Sequence, residues 1–245
     1  MRTRTGVTKN LWRRTQNGVY APSRMNAPTN GLVVFAPLWH PELSGSPFNA
    51  WDVVNNTVRA CTVTGATWDI QGRTFDGTDD AINCGSPTAL DNIGTAGDYT
   101  FSLVAWIKPS GLGENNQGRI VDKNKFYLRM EGEVGNTHIA LRTYNSTVAK
   151  NAVSASNSTP IGSWSHVVAI YDGANLKTYV NEILVIGDAT TGTLDNHATS
   201  DLRIGDGASS AVCFNGTIGE VLIYNRALSV SEVSNLYLTT KWRYQ

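Results

Sequence analysis

Gly216-Thr217-Ile218-Gly219-Glu220-Val221-Leu222-Ile223-Tyr224-Asn225-Arg226-Ala227-Leu228-Ser229 is the stretch on which the reading of this chain turns. The apolar and β-branched run over Thr217–Asn225 predicts a strand. The stretch then changes period. Ser229 with Glu232 forms a capping box, and Val233, Leu236 and Tyr237 follow at helical spacing, so one helix is expected over Ala227–Thr239.

Upstream, the same strand grammar repeats. Short apolar runs alternate with Gly, Asn, Asp and Pro clusters at Leu32–Ala36, Tyr99–Lys108, Arg119–Asp122, Phe126–Glu131, Thr137–Tyr144, His166–Asp172, Leu176–Val180 and Leu202–Ile204. Phe101, Leu103, Ala105 and Ile107 share one face at period 2. His166–Asp172 is apolar on both faces, which suits the middle of a two-sheet sandwich. Asp172-Gly173 between two strand patterns predicts a hairpin. Strands at this spacing with turn signals between them indicate an all-β sandwich or barrel, with one short C-terminal helix.

Composition agrees. Ser, Thr and Asn number 18, 26 and 22 of 245 residues, while charged residues are only 16%. That mixture favours turns and strands. With 41% hydrophobic residues the chain can bury a core, and no apolar run is long enough to span a membrane. Cys61, Cys84 and Cys213 are too few for a disulfide framework, so all three are expected as thiols.

The net charge of zero hides a division. Arg2, Arg4, Lys9, Arg13, Arg14 and Arg24 precede the first acid, Glu42, and the rest of the chain carries 14 basic and 20 acidic residues. Residues 1–30 read as an extended basic arm and 31–245 as the folded domain. The arm is expected to dock on an acidic protein surface ahead of nucleic acid. Membrane binding is not expected, because Leu11 and Trp12 are the only bulky apolar pair nearby. Met1–Tyr20 has no apolar segment of the kind a secretory signal needs.

Five segments in order resemble the laminin-G-like, concanavalin A-like lectin/glucanase superfamily, in particular the LamG-like jelly rolls of bacteria and phages. They are Gly31–Phe35 with Leu43-Ser44-Gly45, Gly72–Asp80, Phe101–Pro109, Trp164–Val168 and the Gly216–Ser229 stretch. The resemblance spans about Gly31 to Tyr237 and implies a jelly-roll β-sandwich of two antiparallel sheets. One departure stands out: Tyr179-Val180-Asn181-Glu182 replaces a Tyr-Val-Asn-Gly hairpin. Because Glu resists positive φ, a longer or differently shaped turn is expected there.

The superfamily includes glucanases, which need two carboxylates flanking the sugar. Glu131 and Glu133 come nearest, and they read as a solvated strand end. No nucleophile elbow, P-loop or Cys-x-x-Cys spacing occurs, and His166 reads as structural. Asp76, Asp79 and Asp80 cluster as calcium ligands would, though turn chemistry also explains them. Trp106 and Trp164 read as core; Trp39, Trp51 and Trp68 read as freer to serve a surface.

The expected function is therefore non-catalytic. The leading expectation is a bacteriophage virion component, a capsid decoration protein at the virion surface. It would be docked by its arm on an acidic capsid face, with glycans as candidate ligands of the projecting sandwich. A free extracellular lectin, calcium-dependent or not, is the first rival, and a glycoside hydrolase the second. Whether the chain forms a homo-oligomer is open.

Overall fold

A computed structural model describes residues 27–52, 57–86, 88–94, 100–133, 135–146, 148–207 and 212–245. The strands are β1 (Leu32–Ala36), β2 (Phe48–Asp52), β3 (Thr57–Thr64), β4 (Thr67–Asp69), β5 (Gly72–Asp76), β6 (Ala81–Asn83), β7 (Phe101–Pro109) and β8 (Arg119–Asp122). They continue with β9 (Phe126–Glu133), β10 (Asn136–Asn145), β11 (Val148–Val153), β12 (Ser165–Tyr171), β13 (Asn175–Val180), β14 (Ile183–Ala189), β15 (Arg203–Ile204) and β16 (Asn215–Tyr224). A short helix α1 (Thr88–Asp91) precedes β7, and α2 (Val230–Thr240) follows β16.

These strands form two antiparallel sheets. The front sheet runs β2-β1-β16-β7-β12-β13-β14, with the β4–β5 hairpin added to β16. The back sheet runs β11-β10-β9-β8-β15-β6-β3. β3 pairs with β2 on one side and β6 on the other, so it turns the corner between the sheets. The architecture is the expected jelly-roll sandwich. Seven strands were not read from the sequence: β2 to β6, β11 and β14. They are short or carry polar side chains.

Alternation places Phe101, Leu103, Ala105 and Ile107 of β7 in the inter-sheet core, opposite Phe126, Leu128 and Met130 of β9. The other face of the front sheet is also buried, for a different reason than its central position. Val104, Val168, Ile170 and Leu222 pack under Val233 and Leu236 of α2. The helix thus explains why β12 is apolar on both faces. It begins at Val230, three residues after the predicted start, because Ser229 is its N-cap; the Ser229–Glu232 capping box forms as expected.

Two expectations are corrected. Cys61 and Cys84 are joined in a disulfide. Thr62 pairs with Asn83 across β3 and β6, which sets the two cysteines opposite one another with Cα atoms 4.2 Å apart. Only Cys213 is a free, buried thiol. Second, the Asn181-Glu182 turn is neither longer nor irregular. Val180 pairs with Ile183, leaving a two-residue loop in which Asn181 and Glu182 take φ of 47° and 72°. Both central residues have the positive φ of a type I′ turn. Glu182 accepts a hydrogen bond from Ser234 Oγ of α2, which holds the hairpin on the helix.

The Asp172-Gly173 hairpin forms, with Tyr171 pairing Leu176 around a loop whose Ala174 and Asn175 amides both donate to Asp172 Oδ1. No helix among the described residues is long and apolar enough to cross a membrane.

Candidate functional site

The back sheet presents an outer face that α2 does not cover. β9 alternates Phe126, Leu128 and Met130 inward, so Tyr127, Arg129 and Glu131 point outward. In the register of β10, Arg142 lies opposite Tyr127, Ala140 opposite Arg129, and His138 opposite Glu131. On the other side of β9, Arg119 and Asp122 of β8 pair with Arg129 and Tyr127.

The result is a ladder of tyrosines and cations. The Arg119 guanidinium lies 3.7 Å from the Tyr127 ring centroid, and that of Arg129 lies 5.8 Å away. Tyr144 lies 6.4 Å from Tyr127, centroid to centroid, with Lys125 Nζ at 5.4 Å and Arg142 at 5.7 Å from its ring. Burial, then the hydrogen bond with Tyr144, pushes the Tyr127 hydroxyl up, so it stays protonated at neutral pH.

Carboxylates match some of these cations. Arg119 Nε bonds Asp122 Oδ2 at 3.0 Å. Arg129 bonds Gln117 Oε1 at 2.6 Å and pairs with Glu131. Arg142 has no ion pair or hydrogen bond among the described residues. On the face itself Arg119, Lys125, Arg129 and Arg142 outnumber Asp122 and Glu131; Lys123 is buried on Asp91, and Asp188 of β14 accepts from the Asn151 amide at the edge. Residues 119–153 hold six basic and three acidic residues, whereas the rest of the chain from Glu42 holds eight and seventeen.

Along the sandwich edge, beside β11, lies a groove of about 250 Å³. Ser154, Ser156, Ser158 and Asn181 supply its polar lining, and Val180, Ile183 and Val185 its apolar walls. Ser154 Oγ accepts from the Ile139 amide at 3.0 Å and lies 2.7 Å from Ser158 Oγ, so the hydroxyls are held by the sheet. Asn181 Oδ1 accepts from the His166 amide at 2.9 Å. Among the described residues, no carboxylate lines this groove. Its walls join the end of β13 to the unread strand β14 and a loop, so sequence alone did not reveal it.

The predicted site residues fall as follows. Asp76, Asp79 and Asp80 come together, with ligand oxygens within 4.8 Å of one another. The turn already uses two of those oxygens: Asp80 Oδ2 accepts from the Asp76 amide and Asp76 Oδ1 from the Thr78 amide, each at 2.8 Å. Burial raises the Asp80 pKa. Three carboxylates fit part of the six to eight oxygens that calcium takes.

Glu131 is committed to Arg129 and lies 3.5 Å from His138, while Glu133 is exposed at the strand end. They do not flank a cleft. His166 is fully buried beside Trp106, its Nδ1 has no hydrogen-bond partner among the described residues, and burial lowers its pKa to about 3.

Trp39 is not a surface residue. It is buried, and its Nε1 donates to Glu220 at 3.2 Å. Trp68 is half-buried. Arg2, Arg4, Lys9, Arg13, Arg14 and Arg24, and the side chain of Trp51, lie outside the described residues.

The sequence model of the family described as the concanavalin A-like lectin/glucanases superfamily matches residues 76–234. Domain 4 of AbnA, an extracellular arabinanase of glycoside hydrolase family 43 from Geobacillus stearothermophilus, solved with arabinotriose, is 20% identical. The match has a TM-score of 0.58 and covers 84% of this chain and 98% of that one.

Trypanosoma rangeli sialidase in complex with sialic acid is 20% identical, with a TM-score of 0.64 over 95% of this chain and 36% of that one. The binding domain of botulinum neurotoxin serotype D is 14% identical, with a TM-score of 0.58 over 86% and 52%. This chain thus spans about a third of the sialidase and half of the toxin domain. At these identities the likeness is one of fold.

Proposed function

The chain belongs to the concanavalin A-like lectin/glucanase superfamily, and from that premise we propose that it is a non-catalytic carbohydrate-binding module. The edge groove carries this reading. It offers three serine hydroxyls and an asparagine amide held between aliphatic walls, the pairing that a sugar's hydroxyls and C–H surfaces need, and among the described residues it lacks a carboxylate to do chemistry. The likeness to an arabinanase domain solved with arabinotriose supports the same reading. The Cys61–Cys84 disulfide suits an oxidising, exterior destination.

A glycan array probed with the full chain tests the proposal. Binding is expected, and Ser156→Trp, an exposed position in the groove, is expected to abolish it without changing the melting temperature. Binding that survives this variant removes the groove from the reading; turnover of any bound glycan overturns the non-catalytic assignment. Loss of binding on chelation, restored by calcium, would bring in Asp76, Asp79 and Asp80.

The narrower reading, a virion decoration protein, draws on the six basic residues that precede Glu42. None of the structures named above is a virion protein. Deleting residues 1–24 and measuring particle incorporation in low and high salt tests it: unchanged incorporation, or association insensitive to salt, defeats the docking role.

A further inference from the structure

We infer that the tyrosine–arginine face of the back sheet binds the carboxylate of an acidic saccharide, with Arg142 as the residue that takes it. This rests on the carbohydrate-binding reading and narrows it to a ligand class.

Two observations converge on Arg142. Its neighbours Arg119 and Arg129 are matched by Asp122 and by Glu131 with Gln117, whereas Arg142 has no such partner among the described residues. Its Nε is buried without a hydrogen-bond partner, so the capacity of the side chain resides in its terminal nitrogens. A planar guanidinium with free terminal nitrogens matches a carboxylate in a two-bonded geometry that an ammonium cannot reproduce.

Position supplies the second part of the argument. Arg142 lies within a strand, between Tyr127 of β9 and Asn151 of β11, so its backbone is fixed before any ligand arrives. Ser154 of the groove follows Asn151 by three residues, which along an extended chain is about 10 Å. That odd separation turns the Ser154 and Asn151 side chains to opposite faces of the sheet edge, so an acidic saccharide meets Arg142 on the outer face of the back sheet, apart from the groove. Lys125, also on the Tyr144 ring, adds a second cation without an ion pair among the described residues.

The same face is a poor platform for single-stranded nucleic acid. Binding of that kind needs open aromatic faces on which bases stack. Here Tyr127 is buried with Arg119 against its ring, and the ring of Tyr144 is flanked by Lys125 and Arg142.

Titration of the full chain with polygalacturonate, its methyl-esterified form, a neutral arabinan and a single-stranded oligonucleotide tests the inference. Polygalacturonate is expected to bind best and to weaken as salt is raised. Arg142→Gln is expected to weaken that binding by about tenfold or more and to leave arabinan binding and the melting temperature unchanged. Arg142→Lys should recover only part of the loss.

Equal binding of the charged and esterified polymers, or no effect of Arg142→Gln, overturns the inference while leaving the carbohydrate-binding reading intact. Tighter binding of the oligonucleotide overturns it in favour of nucleic acid. Failure to bind any saccharide here or on an array overturns both readings.

Discussion

Trp39 donates its indole N–H to Glu220 across 3.2 Å, and the Arg243 guanidinium lies 3.5 Å from the Trp39 ring centroid. This contact ties the loop after β1 to the centre of β16 and to the C-terminal turn after α2. Complete burial drives the Glu220 pKa up to about 7, opposed by the Trp39 bond and by Arg243. In the unfolded chain the same group titrates near 4.5. Between these values the folded state holds a proton that the unfolded state has released. Stability from this group is therefore full below pH 4.5 and is lost as pH rises through 7, by roughly 3 kcal/mol. Subtracting the stability–pH curve of Glu220→Gln from that of the unaltered chain should leave this falling limb. A flat difference would mean that Glu220 is not buried as described.

His166 works in the opposite direction. It is neutral in the fold, with a pKa near 3 against 6.5 when unfolded. Its contribution is full above pH 6.5 and falls as pH drops toward 3. From pH 4.5 to 6.5 the two slopes cancel. Chemical denaturation of Glu220→Gln should therefore show stability climbing with pH over that window more steeply than in the unaltered chain.

The Cys61–Cys84 bridge closes a loop with a sequence separation of 23 residues. Chain-entropy reasoning assigns such a loop about 3 kcal/mol of stabilisation. Cys61→Ser with Cys84→Ser should lower the denaturant midpoint by a corresponding amount with the slope little changed. Mass spectrometry without reductant, showing two free thiols besides Cys213, would remove the premise.

Glu182 holds a φ of 72° and bonds Ser234 of the helix. Glycine would relieve the backbone but lose the bond. In a Ser234→Ala background the bond is already gone, so Glu182→Gly should then stabilise the protein by about 1 kcal/mol. The same change in the unaltered chain should gain less. Equal gains in the two backgrounds would show that the Ser234 contact contributes nothing.

Gly187 of β14 approaches β11 so closely that an added Cβ would stand 2.3 Å from the Ala152 Cα. Gly187→Ala must push the two sheets apart at the edge that forms the groove. A loss of about 1–3 kcal/mol is expected, as for overpacked cores, together with weaker saccharide binding. Unchanged melting would show that this edge yields freely.

The legible parts of the fold were those with local causes. β1 and β8 were read at their observed bounds because each is a short apolar run set off by turn residues. α2 was legible because Ser229 and Glu232 satisfy its first amides. β4 to β6 were not: β5 and β6 draw on partners far along the chain, β16 and β3, and the three-residue β4 pairs only with β5. The Asn181-Glu182 turn was misjudged because a long-range hydrogen bond to Ser234 accompanies a conformation that local preference disfavours.

The candidate site divides in the same way. Glu131, Glu133 and the Asp76–Asp80 turn were visible as adjacent acids. The partners that commit Glu131 to Arg129 and His138 were not visible. Tyr127, Arg129, Arg142 and Tyr144 were present as alternate residues of two strand patterns, and only pairing them revealed a face.

The sequence by itself determined an all-β fold, its capped helix and the division of charge between a basic first stretch and an acidic remainder. These follow from periodicity and composition, which act over a few residues. Tertiary structure decided that Cys61 meets Cys84, that Trp39 meets Glu220 and that Arg142 stands without a carboxylate among the described residues. Such pairings depend on which strands become neighbours. Strand order is set by burial of the whole core, so no local stretch carries it.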